Sequence, residues 1–273
     1  MFVRRKGNKF YLVENKRIDG KVKQKVIKYL GVNPTHGEYL PKLNVIYHNT
    51  VKNLLAKLPD DSCDCIIADP PYFISQDRVF TRKQKDLNRN FGTWDQGSDF
   101  EGFFDSWLPD CLRVLKYNLF IFTKFERIQY FSEKFPNLYK TAIVWHKTNP
   151  APHYQKDTFI SSCEVIIFIQ KKRGLFNFLS VPETHNFIET PSEQRKDIRF
   201  HPTQKHEAVI EWLIKIGSNK NNLVLDLFSG SSVTSRVAKR LDRNFIGVEE
   251  DIRYIRKARK IIGGRVNPNQ KST

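Results

Sequence analysis

The apolar run Cys65-Ile66-Ile67-Ala68 ends at Asp69-Pro70-Pro71-Tyr72, and no other feature of the 273 residues restricts the fold as tightly. Two consecutive prolines donate no N–H to a ladder, so they cannot continue a central strand. The first proline also biases Asp69 away from helical geometry. A short buried strand must stop here and project a stiff, extended tetrapeptide from the carboxyl end of a sheet. That tetrapeptide displays a carboxylate, backbone carbonyls and an aromatic ring. Acceptors beside a stacking face suit a flat ring that bears an amino group.

From Leu43 onward the apolar pattern alternates between strand and helix periods, which predicts an α/β sheet. Strands are expected at 44–48, 65–68, 118–123, 141–146, 164–170, 223–227 and 244–248. Helices are expected at 50–58, 100–115, 125–135, 206–216, 233–241 and 251–262. Two polar stretches, 73–96 and 171–200, interrupt the alternation. The first is long for a passive connection and reads as a mobile functional loop. The second lies between the two halves of the chain and reads as a target-recognition loop. Both are basic: Arg78, Arg82, Lys83 and Arg89 in the first, Lys171, Lys172, Arg173, Arg195 and Lys196 in the second.

Residues 1–42 have a different character from 43–273. Ten Lys and Arg stand against Glu14 and Asp19 within 1–31, and two strand-like runs flank Asp19-Gly20. This predicts a small basic β-hairpin module, suited to a DNA contact or to dimerisation. The whole chain carries a net charge of +17, which points to a polyanionic partner, nucleic acid first. Cys63, Cys65, Cys111 and Cys163 make no metal-site spacing and read as buried thiols in a reducing cytoplasm. No metal is expected. No apolar leader and no apolar run long enough for a membrane span occurs, so a cytoplasmic location without membrane association is expected.

A second constellation is Val224-Leu225-Asp226-Leu227-Phe228-Ser229-Gly230-Ser231-Ser232, a buried strand turning at small residues into a helix. Gly230 permits positive φ or close backbone approach, and the helix N-terminus offers free N–H groups. About twenty residues on, Glu249 ends the next strand, placed to accept hydrogen bonds from ribose hydroxyls. A third constellation, His201-Pro202-Thr203-Gln204-Lys205, precedes a helix. Taken alone, Thr203 reads as a helix cap and Lys205 as a solvated charge.

In this order the three constellations resemble the beta group of S-adenosylmethionine-dependent DNA amino-methyltransferases. Phe91-Gly92-Thr93-Trp94-Asp95, Trp145 to Pro150, and Arg243 to Glu249 resemble further signatures of that group, and the likeness spans about 43–262. It implies a Rossmann-like, seven-stranded, mostly parallel sheet with helices on both faces. The fold is circularly permuted, with the catalytic half first. Asp69, Pro70, Pro71 and Tyr72 would be catalytic. Asp226, Phe228, Ser229, Gly230, Glu249, Thr203 and Lys205 would bind S-adenosylmethionine. The implied activity is site-specific transfer of a methyl group to N6 of an adenine flipped out of double-stranded DNA. Cytosine N4, an RNA base, or an inactive DNA-binding relative are the alternatives. A homodimer and a cognate restriction endonuclease are the further partners the resemblance suggests.

The chain departs from the family pattern at Ser232, where a second glycine is usual, and at His206 in place of proline. Phe73 stands where adenine enzymes often have Asn, and Asn49 where Asp is usual. At Ser232 a Cβ either crowds the cofactor or the hydroxyl serves as a helix cap.

Overall fold

In a computed structural model, two sheets organise the described residues, which are 2–6, 9–18, 21–31, 41–71, 100–150, 157–172, 175–193 and 204–263. The first is antiparallel and contains β1 (Phe2–Lys6), β2 (Lys9–Ile18) and β3 (Lys21–Gly31) in that order. The expected hairpin is the β2–β3 pair, whose ladder begins at Ile18 and Lys21; β1 adds a strand to it. The Tyr11 and Tyr29 rings, directly opposite across β2 and β3, lie 5.1 Å apart.

The second sheet contains β4 (Val45–His48), β5 (Cys63–Ala68), β6 (Leu115–Thr123), β7 (Tyr139–Lys147) and β8 (Cys163–Gln170). It is completed by β9 (Phe187–Thr190), β10 (Leu223–Asp226) and β11 (Asn244–Glu249). Their order is β4-β11-β10-β5-β6-β8-β7-β9. The sheet therefore has eight strands rather than the seven expected. The additional strand, β9, lies inside the polar stretch 171–200 that reads as a target-recognition loop. Its four residues carry little apolar pattern, and it is fixed by its partner: Trp145 Nε1 donates to Thr190 Oγ1 at 2.8 Å. Only β8 runs against its neighbours; β4, β11, β10, β5, β6, β7 and β9 share one direction.

Helices cover both faces, segregated by halves of the chain. On β5, Ile66 and Ala68 face a core built with α1 (Val51–Leu55), α2 (Phe100–Asp105), α3 (Leu108–Val114) and α4 (Ile128–Lys134). Cys65 and Ile67 face the opposite core, built with α5 (Glu207–Gly217), α6 (Val233–Arg240) and α7 (Ile252–Ile262). The strand period of two puts alternate residues on opposite faces, so every residue of β5 is buried. Each aliphatic side chain so buried contributes about 1.5–3 kcal/mol.

The single helix expected over 100–115 is two helices. Pro109 lacks the N–H that would bond one turn back, so the first helix ends at Asp105 and a second starts at Leu108. Leu115 opens β6 directly. Helices α1 and α7 are capped by side chains at their amino ends. Thr50 Oγ1 accepts from Asn53 N at 3.2 Å to start α1, and Asp251 Oδ1 accepts from Arg253 N at 2.8 Å to start α7.

The approach of α6 to β11 needs Gly247. A Cβ there would stand 2.6 Å from Ser229 Oγ and 3.1 Å from Ser235 Oγ. Gly247→Ala is expected to destabilise the fold by about 1–3 kcal/mol. Urea unfolding should show a lower midpoint at unchanged slope.

Candidate active site at the carboxyl ends of β5 and β10

The strand order reverses between β5 and β10. From β5 the chain continues outward to β6, and from β10 outward to β11, on the other side. At such a switch point the connections diverge and leave a crevice at the carboxyl ends of the two strands. Asp69 leaves β5 at that crevice, and Asp226 ends β10 beside it. Leu227 N donates to Ile67 O at 3.2 Å, which ties the two strand ends together. Pro70 is buried and Pro71 exposed. Tyr72 and Thr203 lie outside the described residues, as do Arg78, Arg82, Lys83, Arg89, Arg173, Arg195 and Lys196.

Lys205 stands at the centre of the site. Its Nζ lies 2.9 Å from Asp69 Oδ1 and 3.0 Å from Glu164 Oε2, with only 6 % of the side chain exposed. The Phe122 ring centroid is 5.0 Å away. Burial disfavours the ammonium, but the Asp69 and Glu164 carboxylates outweigh it and raise the Lys205 pKa above its ordinary value. Glu164 is in turn ion-paired with Lys147 Nζ. Burial pushes the Glu164 carboxyl up, yet the two lysines pull it down to about 2. Lys205 thus holds the Asp69 carboxylate; the resemblance implies a contact with the cofactor for the same residue.

Around the turn after β10 the backbone is held by Glu249. Its Oε2 accepts from Gly230 N at 2.7 Å and its Oε1 from Asp251 N at 2.8 Å. Ser229 N donates to Val248 O at 2.9 Å. Each carboxylate oxygen of Glu249 has capacity for a further donor such as a hydroxyl. Gly230 has φ +45°, a conformation glycine adopts without strain. Ser232 has φ +58°, at a cost of roughly 1–2 kcal/mol for a residue with a Cβ. Ser232 occupies the N-cap position of α6, but its hydroxyl makes no capping bond. That Oγ is buried without a partner among the described residues. Phe228 packs on the aromatic side of the crevice, 5.5 Å from Trp107 and 6.2 Å from Phe103 between ring centroids.

Asp226 is the electrostatic outlier. It is buried, and its Oδ2 has no hydrogen-bond partner among the described residues. Burial pushes its pKa up to about 8, with the negative Asp69 and Glu249 adding to the rise against the Ser229 hydroxyl and the Phe228 N–H. A cationic ligand beside this carboxyl would favour its ionised form and pair with it. S-adenosylmethionine carries a sulfonium and an α-ammonium, so Asp226, Glu249 and the 228–232 turn fit that cofactor. Asp226 and Glu249 would bracket its charged and hydroxyl-bearing ends.

Lys171 and Lys172 are placed elsewhere. Both follow β8, whose reversed direction carries its last residues to the amino ends of the parallel strands. Lys171 Nζ lies 3.1 Å from Asp61 Oδ1 and donates to Leu112 O at 2.6 Å; Lys172 Nζ lies 2.8 Å from Asp61 Oδ2. These two lysines, expected to contact DNA, are tied to Asp61 at the end of the sheet remote from Asp69. A cavity of about 340 Å³, lined by Asn44, Lys239, Asp242 and Arg243, also lies at that remote end. It is no part of this site.

Lys147 and Glu164 are the site residues that sequence reasoning missed. The available signal was a carboxylate at the head of an otherwise apolar strand: residues 165–169 are all buried and apolar.

The chain belongs to the DNA methylase family, whose model matches residues 63–260. It is 32 % identical over 261 residues to the Type II methyltransferase M2.LlaDCHI of Lactococcus lactis subsp. cremoris, covering 85 % of this chain and 94 % of that one. It is 31 % identical to M2.DpnII of Streptococcus pneumoniae, covering 88 % and 97 %. It is also 31 % identical to M.HinfI of Haemophilus influenzae, covering 83 % and 70 %. Among solved structures, it is similar to the M1.HpyAVI–SAM complex at 27 % identity and a TM-score of 0.56, covering 79 % of this chain and 98 % of that chain. The PvuII DNA methyltransferase (cytosine-N4-specific) shares the fold, with a TM-score of 0.63 at 15 % identity, covering 84 % and 89 %. The protein is an S-adenosylmethionine-dependent DNA methyltransferase of the N6/N4 amino type.

The Asp226 carboxyl gives a pH signature. Unfolded, it releases its proton near its ordinary value of 3.8; folded without ligand, it keeps the proton to about 8. The folded state therefore binds more protons across that window, and stability falls as pH rises through it. Asp226→Asn removes this dependence. Urea unfolding without cofactor should show the variant gaining on the wild type between pH 5 and pH 9, and equal slopes with pH would contradict the burial argument.

Proposed function

We propose that this enzyme methylates N6 of an adenine flipped out of duplex DNA at a specific sequence. The observation that carries the reading is the Asp69 carboxylate, held by Lys205 at the switch-point crevice beside the cofactor turn. A base within a duplex cannot reach a crevice of this kind, so the target must leave the stack. S-adenosylmethionine supplies the methyl group. Asp69 and the Pro70 carbonyl accept the two amine hydrogens as the nitrogen becomes tetrahedral. Acceptors of this sort act mainly in the transition state, where positive charge develops on nitrogen. Tyr72 stacks on the base, worth about 1–3 kcal/mol.

For the nucleic acid, the positive charge of the chain supports a phosphate-tracking surface. With Lys171 and Lys172 engaged by Asp61, the proposed contacts are Arg78, Arg82, Lys83, Arg89, Arg173, Arg195 and Lys196. Exposed Lys23 and Lys25 on β3 offer a second basic face. The Type II designation of the relatives supports a cognate restriction endonuclease as functional partner, in the cytoplasm where the DNA lies.

Asp69→Ala should lower tritiated methyl transfer to DNA by about 10²–10³-fold. Mass spectrometry of nucleosides from the methylated DNA should show N6-methyladenine. N4-methylcytosine in its place would overturn the choice of base.

A further inference from the structure

We propose that Glu164 is a positioning residue for methyl transfer. Held between Lys147 and Lys205, its carboxylate keeps the Lys205 ammonium fixed on Asp69 and so fixes the acceptor that meets the target amine. The proposal rests on the role of Asp69 given above.

The geometry comes from the one reversed strand of the large sheet. Because β8 opposes both β6 and β7, its amino end lies at the carboxyl ends of the parallel strands. Trp145 of β7 pairs with Glu164 of β8, and Lys147 ends β7 two residues further on. Four groups of alternating charge then run toward the crevice: Lys147, Glu164, Lys205 and Asp69. Exposure of the side chains is low in the middle of this chain, 15 % at Glu164 and 6 % at Lys205.

The chemistry gives Glu164 a task that packing alone does not. A buried ammonium with one carboxylate partner draws that carboxylate's charge onto itself, and Asp69 then becomes a poorer acceptor for amine hydrogens. With a second carboxylate on the same ammonium, the charge is shared and Asp69 keeps its acceptor strength. Glu164 also separates two lysines that would otherwise repel. Breaking one partner out of a buried ion pair leaves an uncompensated charge and lets the survivor move. A displacement of about 1 Å at a reacting group costs up to about 10²-fold in rate.

The test is Glu164→Gln, a near-isosteric loss of charge. Single-turnover methyl transfer on duplex DNA is measured beside calorimetric binding of S-adenosylmethionine, with Asp69→Ala in parallel. The expected result is a rate about 10–100-fold lower with the cofactor Kd within about threefold of wild type. The double variant Lys147→Met/Glu164→Gln removes one charge of each sign and relieves the repulsion. It should recover part of the rate lost in the single variant, whereas a merely structural role predicts a further loss. Should Glu164→Gln fail to fold, the double variant carries the test: a lower rate at unchanged cofactor affinity supports the proposal, and a wild-type rate overturns it. A wild-type rate in Glu164→Gln, or a Kd that weakens in step with the rate, also overturns it. Retained activity in Asp69→Ala would instead overturn the role of Asp69 itself.

Discussion

The buried ammonium of Lys205 ties together the two sides of the large sheet at the switch-point crevice. It enters from the segment before α5 and grips Asp69, which leaves β5. A buried ammonium costs several kcal/mol in desolvation and is tolerated only against well-placed carboxylates. That requirement fixes where Asp69 and Glu164 must stand. Around them, the sheet order brings β5 and β10 together, and the reversal of β8 delivers Glu164.

The crevice balances charge unevenly. Asp69 and Glu164 are paired with lysines, whereas Asp226 is buried with an oxygen unpartnered among the described residues. Glu249 spends its carboxylate on the backbone of the turn and of the α7 entry. The Asp69 side of the crevice is therefore internally compensated. Among the described residues no cation pairs with Asp226, and S-adenosylmethionine carries one. Ser232 shows the same division: it keeps the left-handed turn at a conformational cost and leaves the helix uncapped by its own hydroxyl.

Much of this was legible from residues. The proline pair stopped β5 where the sequence required, and the spacing from Gly230 to Glu249 marked two neighbouring strands that the structure pairs. The strand and helix periods located nearly every element of the large sheet, because buried apolar runs and amphipathic stripes are local signals. Three features were not legible for identifiable reasons. β9 is short and half exposed, so its strand character comes from Trp145 and β7 rather than from its own pattern. The break at Pro109 was masked by an apolar stripe that runs through both α2 and α3. The partners of Lys205, and the capture of Lys171 and Lys172 by Asp61, depend on the direction of β8, which no local period encodes. Sequence suggested that Lys205 was a solvated or cofactor-facing charge; only tertiary placement sets it on Asp69.

The most direct measurement separates those two roles of Lys205. Replacing it with Met and determining kcat at saturating cofactor together with the S-adenosylmethionine Kd isolates what the ammonium holds. A grip on Asp69 predicts a kcat lower by about 10²-fold with the cofactor Kd nearly unchanged. A Kd weakened tenfold or more, with kcat at saturation preserved, would contradict it and return Lys205 to the cofactor.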